Sequence, residues 1–276
     1  MCVFLANTVQ AGAPVWKVSK GDFHIYIGGT IHVLDEQDYP LPAEFEQAYE
    51  LAEKLVFEVD IAQVNTLEFQ QKLLQKALYR DGSTLASHLE PATFTQLQEF
   101  MIQRGIPLEN LLSFKVGMLL TILTVNELQR QGIQGMGVDQ HFNLKAREDQ
   151  KPIAALETIE QQIDFLTTLG EGEEDQIVLQ TIEELEHFGE EFSILKSAWR
   201  SGDMSALIEV GLQDFLAFPK AYESMLVNRN RAWIPGIEAM LEDEQVEYVL
   251  LGVLHLVGND SVLAMLKARG YHVEKL

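Results

Sequence analysis

An apolar run that ends in Gly-x-x-His occurs twice in the chain. The first copy is Phe23-His24-Ile25-Tyr26-Ile27-Gly28-Gly29-Thr30-Ile31-His32, and the second is Tyr248-Val249-Leu250-Leu251-Gly252-Val253-Leu254-His255. β-Branched, aromatic and aliphatic residues fill both runs, the composition of a buried strand. Each run delivers a histidine just past the strand end. The glycine before it can serve a positive φ or a close backbone approach. In open α/β sheets the carboxyl ends of the strands are where ligands bind, so two such strands in one sheet would bring both imidazoles to that edge. Each histidine alone is equally well an ordinary hydrogen-bonded structural residue; the repetition, in a chain with only seven histidines, favours a shared metal ion.

The flanking residues extend each copy into a larger unit. Val15 to Ser19 and Phe23 to Ile27 read as a hairpin turning at Lys20-Gly21-Asp22. After His32 and a polar loop, Leu41-Pro42-Ala43-Glu44 opens a helix, with Pro near its first position and acids in its first turn. Lys54 to Asp60 then reads as a strand, expected beside the first Gly-x-x-His strand in a βαβ arrangement. The second copy is followed by the N-cap candidate Ser261, a helix to about Ala268, the stop Arg269-Gly270 and a short strand at 271–274. The expected fold is therefore α/β, with α+β character: a mixed sheet built from two related strand–Gly-x-x-His–helix–strand units around a large helical insertion. The expected organisation is a single domain over 14–276, with a first unit at 14–61, the insertion at 62–243 and a second unit at 244–276. Within the insertion, periodicity predicts helices near 65–79, 93–104, 108–129, 140–147, 158–170, 172–188, 190–200, 204–212, 218–230 and 233–243, and a short strand at 151–157.

Residues 1–13 read either as the remnant of a signal peptide, ending in the small-residue stretch Val9-Gln10-Ala11-Gly12-Ala13, or as a frayed terminus. The first reading implies a periplasmic or secreted protein, the second a cytoplasmic one. No apolar run reaches the roughly 18–20 residues of a membrane span. A net charge of −22 argues against nucleic-acid binding, which needs clustered Lys and Arg. With a single cysteine, Cys2, neither an intrachain disulfide nor a thiolate metal site is available. From Pro152 to Leu195 there are twelve acids and no Lys or Arg, read as a solvated helical face or as a surface for a cationic partner. Homo-oligomerisation is left open.

Two imidazoles do not complete a catalytic metal site, which usually takes three protein ligands and a water. Glu58 is the best third donor, because it stands in an otherwise apolar strand where an unpaired carboxylate is costly to bury; an exposed strand face is the alternative. Asp60 shares its face and reads as a supporting residue or a loop cap. Glu157, at the end of Ile153-Ala154-Ala155-Leu156, reads as a ligand, a general base or a helix N-terminal acid. Arg229, in Asn228-Arg229-Asn230-Arg231, reads as a cation for a substrate carboxylate or oxyanion, or as a surface arginine. HExxH, GxSxG and phosphate-binding glycine loops are absent.

The paired Gly29-Thr30-Ile31-His32 and Gly252-Val253-Leu254-His255, with Phe57-Glu58-Val59-Asp60, resemble the TraB/PrgY/GumN family, which includes the Tiki proteases. Gly137-Val138-Asp139, Leu156-Glu157-Thr158-Ile159-Glu160-Gln161-Gln162 and Arg229-Asn230-Arg231-Ala232-Trp233 resemble motifs of its bacterial GumN-like members. The resemblance implies a metal-dependent protease fold in which His32, His255 and Glu58 match the metal-binding positions, with manganese or cobalt favoured; zinc is also compatible with the donors. The functional expectation is a hydrolase, foremost a peptidase, acting on a peptide or small-molecule substrate, with Glu157 and Arg229 as candidate catalytic residues. The alternatives are a non-catalytic metal-, haem- or peptide-binding protein and a small-molecule esterase.

Overall fold

The computed structural model describes residues 12–276 apart from Asn65; the signal-peptide reading falls almost wholly outside the described residues. Alternation of apolar residues on both faces builds a six-stranded mixed sheet from β1 (Val15–Lys20), β2 (Phe23–Thr30), β3 (Lys54–Phe57), β4 (Ile153–Ala155), β5 (Glu247–Gly252) and β6 (His272–Lys275), in the order β4-β3-β5-β2-β1-β6. The fold is thus α/β, as expected. Strands β4, β3, β5 and β2 are mutually parallel, with β4 at the edge, and β1 runs antiparallel to both β2 and β6.

The order corrects one expectation. β3 does not lie beside β2. The second Gly-x-x-His strand, β5, is inserted between them, pairing Gly29 with Leu251 on one side and Phe57 with Leu250 on the other. The final strand, β6, pairs with β1. The two related units are interleaved, because a strand buried on both faces gains most at the centre of a parallel sheet. Tyr248 and Leu250 face one core with Phe45, Phe57, Phe142 and Trp199. Val249 and Leu251 face the other, with Ile25, Ile27, Val56 and Trp233.

The helices are α1 (Ala43–Leu51), α2 (Ile61–Val64), α3 (Leu67–Ala77), α4 (Leu85–His88), α5 (Pro91–Gln103), α6 (Val116–Arg130), α7 (Val138–Glu148) and α8 (Ile159–Thr168). They continue with α9 (Glu174–Ser201), α10 (Met204–Gly211), α11 (Gln213–Leu216), α12 (Pro219–Tyr222), α13 (Asn228–Met240) and α14 (Val262–Ala268). None is long and apolar enough to cross a membrane. The insertion carries its own apolar core, in which Leu97, Phe100, Leu119, Leu123 and Val178 meet.

Three helix boundaries differ from the periodicity. The helix expected over 108–129 is a short 3-10 turn followed by α6 from Val116, since Phe114 leaves the helix to bridge Leu78. The helices expected at 172–188 and 190–200 form the single α9, which runs through Gly189; an interior glycine costs only about 1 kcal/mol, and this one faces Gln131. The break expected near 231 is absent. Instead a π turn over Glu223–Val227 joins α12 to α13 and ends immediately before Asn228.

Candidate active site

The carboxyl ends of β2, β5, β3 and β4 open at one edge of the sheet, and each carries one predicted residue: His32, His255, Glu58 and Glu157. Inserting β5 puts Glu58 next to the second motif. The backbone N–H of Gly252 donates to Glu58 Oε1 at 2.6 Å, and His255 Nε2 stands 4.0 Å from the same oxygen. A Cβ at Gly252 would sit 3.2 Å from Glu58 Oε1 and 3.6 Å from His32 Nε2 and from His255 Cδ2. Both imidazoles and the carboxylate therefore border one small volume. The glycine is needed for close approach and not for a positive φ, since its φ is −50°. Gly29 answers the same need: a Cβ there would lie 2.9 Å from Val253 Cγ2.

Each histidine is anchored through Nδ1. His32 Nδ1 meets Asp139 Oδ2 at 2.8 Å, and Thr30 donates its hydroxyl to Asp139 Oδ1 at 2.8 Å. His255 Nδ1 meets Asn230 Oδ1 at 2.6 Å. In both cases the acceptor fixes a proton on Nδ1, the arrangement of imidazoles that bind a metal or take a proton; Nε2 of His32 then faces the shared volume, and Nε2 of His255 faces Glu58 and Arg229.

Asp139 is held by the loop before α7. The loop lies against the backbone that follows β2, closely enough that a Cβ at Gly137 would sit 2.1 Å from His32 O and one at Gly135 1.9 Å from Leu34 O. Val138 N donates to Ile31 O at 3.0 Å. Asn230 and Arg229 start α13 directly after the π turn. π turns inside helices occur frequently at functional sites. Here the two consecutive side chains reach separate partners, Asn230 to His255 and Arg229 to the acids.

Arg229 joins the remaining residues. Its Nη2 donates to Glu58 Oε2 at 2.6 Å and to Glu157 Oε2 at 3.0 Å; its Nε donates to Glu157 Oε1 at 2.6 Å; and its Nη1 lies 3.3 Å from His255 Nε2. Trp233 Nε1 donates to Glu157 Oε1 at 3.0 Å. The guanidinium also stacks near the Phe165 and Trp233 rings, 4.8 and 4.9 Å from their centroids. The structure therefore brings His32, His255, Glu58, Glu157 and Arg229 together. Asp60 is a loop cap: its carboxylate receives Ala62 N and the Gln63 side chain and pairs with Arg147.

The electrostatics separate the two histidines. Burial, opposed by Glu58, pushes the His255 pKa down to about 3, so it is neutral at pH 7. Asp139 outweighs desolvation and raises His32 to about 9, although with its side chain 67% exposed water screens part of that pairing. Burial opposes ionisation of Glu58, yet nearby positive charge, from His255 when protonated and from Arg229, and the Gly252 N–H bring it down to about 2. Two like groups held in opposite protonation states are what acid–base chemistry requires.

The donor chemistry suits a divalent ion in part. Two imidazole Nε2 atoms with anchored Nδ1 atoms and one carboxylate are hard or borderline donors. Glu58, however, is already shared with Arg229, and among the described residues no group of three or more His, Cys, Asp or Glu side chains is gathered so as to hold an ion by itself. Asp139, Asn230 and Trp233 carry no role in the sequence reading. All three lie inside the segments that resemble GumN-like motifs, Gly137-Val138-Asp139 and Arg229-Asn230-Arg231-Ala232-Trp233, and that resemblance is the signal that could have found them.

Comparison with known proteins agrees with this frame. The model of the TraB/PrgY/gumN family matches residues 14–275. YbaP of Escherichia coli (strain K12), described as an uncharacterized protein, is 23% identical over 250 residues, covering 90% of this chain and 89% of its own. YbaP of Shigella flexneri has the same identity and coverage. No solved structure matches the chain.

Proposed function

The chain belongs to the TraB/PrgY/gumN family, and from that premise we propose that it is a metal-assisted hydrolase, foremost a peptidase, working at the cleft between His32 and His255. The observation that carries this reading is the convergence of both imidazoles and Glu58 at Gly252, each ring with its Nδ1 held by an acceptor. His32 and His255 would hold a divalent ion, manganese, cobalt or zinc, with Glu58 as the donor shared with Arg229. When bound, such an ion polarises a carbonyl and lowers the pKa of its water toward about 7. Asp139 and Asn230 fix the two rings, and Arg229 offers its guanidinium to a developing oxyanion. Both Glu157 oxygens accept from Arg229 or Trp233, so Glu157 positions Arg229 in this reading rather than taking a proton. Because a ligating imidazole must be neutral, His32 would have to give up the proton that Asp139 favours on it in order to hold an ion.

A second reading follows from the Arg229–Glu58 pair and the opposed histidines. In it, neutral His255 is the general base and protonated His32 the general acid, Arg229 stabilises the oxyanion, and no ion takes part. Purified protein, stripped with chelator and then supplied with manganese, cobalt or zinc, separates the two on panels of peptides and esters. Metal-dependent peptide cleavage lost in His32→Ala and in His255→Ala is the expected result. Cleavage unaffected by chelation selects the second reading. Cleavage of esters alone selects a small-molecule esterase, and a bound metal, haem or peptide without turnover of either panel overturns both hydrolase readings.

A further inference from the structure

A cavity of about 300 Å³ opens directly onto His32, Glu58 and Asp139. Its far wall is apolar: Ile61 and Val64 from α2, Phe69 from α3, Leu166 from α8 and Phe57 from β3. That volume lies at the small end of the ~300–1,000 Å³ range of ligand pockets, room for one side chain or short acyl group. Gln162 of α8 borders the same cavity. Its Oε1 is buried and has no hydrogen-bond partner among the described residues. A buried acceptor left unpaired is costly, and a rotation of the side chain that turned Oε1 into the cavity would let an amide N–H there satisfy it.

On the other side of α8 lies a second cavity, of about 280 Å³, bordered by Leu156, Phe165 and Trp233 as well as by Asp164, Asn228 and Arg229. Arg229 reaches from the second to Glu58 in the first. A substrate held with its carbonyl near Arg229 and the histidines meets a largely apolar wall on either side of α8.

We propose that the cavity over His32 and Glu58 is the specificity pocket for a leucine- or phenylalanine-sized apolar side chain, and that Gln162 selects amides by accepting the substrate N–H beside it. The proposal rests on the hydrolase reading for its biological sense, but the pocket is tested without turnover. Methyl-labelled protein is titrated with N-acetyl-L-leucinamide, N-acetyl-L-phenylalaninamide, N-acetylglycinamide and N-acetyl-L-asparaginamide while the Ile61, Val64 and Leu166 methyl signals are followed. The leucine and phenylalanine probes are expected to shift these methyls and to bind about tenfold or more tighter than the glycine and asparagine probes. Val64→Trp, which fills the cavity from a partly exposed position, abolishes the shifts at Ile61 and Leu166. Gln162→Leu weakens the leucine amide but leaves methyl 4-methylpentanoate, which has no N–H, unchanged. Equal binding of all four amides, or unchanged binding in Val64→Trp, overturns the pocket. Equal losses for amide and ester in Gln162→Leu overturn the role of Gln162. Selective binding with no cleavage of leucine-containing peptides would leave the pocket standing and count against the hydrolase reading, whereas cleavage indifferent to the apolar residue would do the reverse.

Discussion

Gly252 donates its backbone N–H to Glu58 Oε1 at 2.6 Å across 194 residues of sequence. The glycine of the second motif thus touches the acid at the end of another strand, and its missing side chain leaves the space that both histidines face. A methyl group there would stand 3.2 Å from Glu58 Oε1, close enough to push the carboxylate without touching the core.

Gly252→Ala should therefore separate function from folding. Its backbone, φ −50° and ψ 132°, suits alanine, so the melting temperature should move by only a few degrees. Displacing Glu58 by a few tenths of an ångström beside the reacting groups should lower hydrolytic kcat/KM about tenfold or more. Kinetics and thermal melts on one preparation check both; unchanged kinetics would count against the cleft as the centre.

Gly137→Ala should behave differently. Its φ of −76° is unstrained, but the new Cβ would lie 2.1 Å from the carbonyl oxygen of His32. Backbone cannot yield as a side-chain tip can, so the loop must separate from β2. A loss of about 2 kcal/mol or more in denaturant unfolding is expected, in the range of overpacking in a dense interior.

Asp139→Asn in metal-free protein should bring the His32 pKa back from about 9 toward 6.5. The raised value comes first from the carboxylate charge, which favours the imidazolium. The pairing is fully present below about pH 6.5 and is lost as the pH rises through about 9. A proton titration of the ring signal by NMR measures it directly; a His32 pKa still near 9 in the variant would refute the assignment.

Arg229→Lys keeps the charge and loses the fork. A lysine cannot donate in parallel to Glu58 and Glu157, so one buried carboxylate is left poorly paired. The expected cost is about 2–3 kcal/mol of stability and a fall of about 10²-fold or more in kcat if the guanidinium serves the oxyanion. Stability without any loss of rate would show that Arg229 is structural only.

Far from the cleft, Glu127 provides a pH test. Its side chain is only 1% exposed, and its bonds to Arg130 first, then Gln131 and Arg104, overcome burial and lower its pKa to about 2. A lowered carboxylate pKa stabilises the fold above its unfolded value near 4.5, and that contribution disappears as the pH falls toward about 2. The linked stability is about 2–3 kcal/mol. Urea unfolding at pH 7 and at about pH 3 should show Glu127→Gln losing most at pH 7, the gap from the native protein closing in acid.

Much of the fold could be read from local pattern. The two Gly-x-x-His strands, the helix after each and the acid ending β3 all announce themselves by composition and spacing. The strand order could not be read that way. Placing β5 between β2 and β3 depends on which strands bury both faces, a property of the assembled sheet. The site was legible as far as its charged tips. His32, His255, Glu58, Glu157 and Arg229 converge, but for the groups that hold them, Asp139, Asn230 and Trp233, only the resemblance of their segments gave a signal, and the helical pattern around them assigns no contact. The π turn that sets Arg229 and Asn230 on separate partners has no periodicity signal, since it is one turn of unusual width inside an otherwise regular run.

The insertion of β5 also sets an order of events. Residues of β2 and β3 leave the ribosome long before β5, so a growing chain holds the two flanking strands with no centre between them. The sheet can zip up only when the late strand arrives, through contacts as distant in sequence as Glu58 and Gly252. Such non-local parallel pairing is slow to form. The cleft is therefore completed by the same late step that closes the sheet, and no earlier stage of synthesis carries a working version of it.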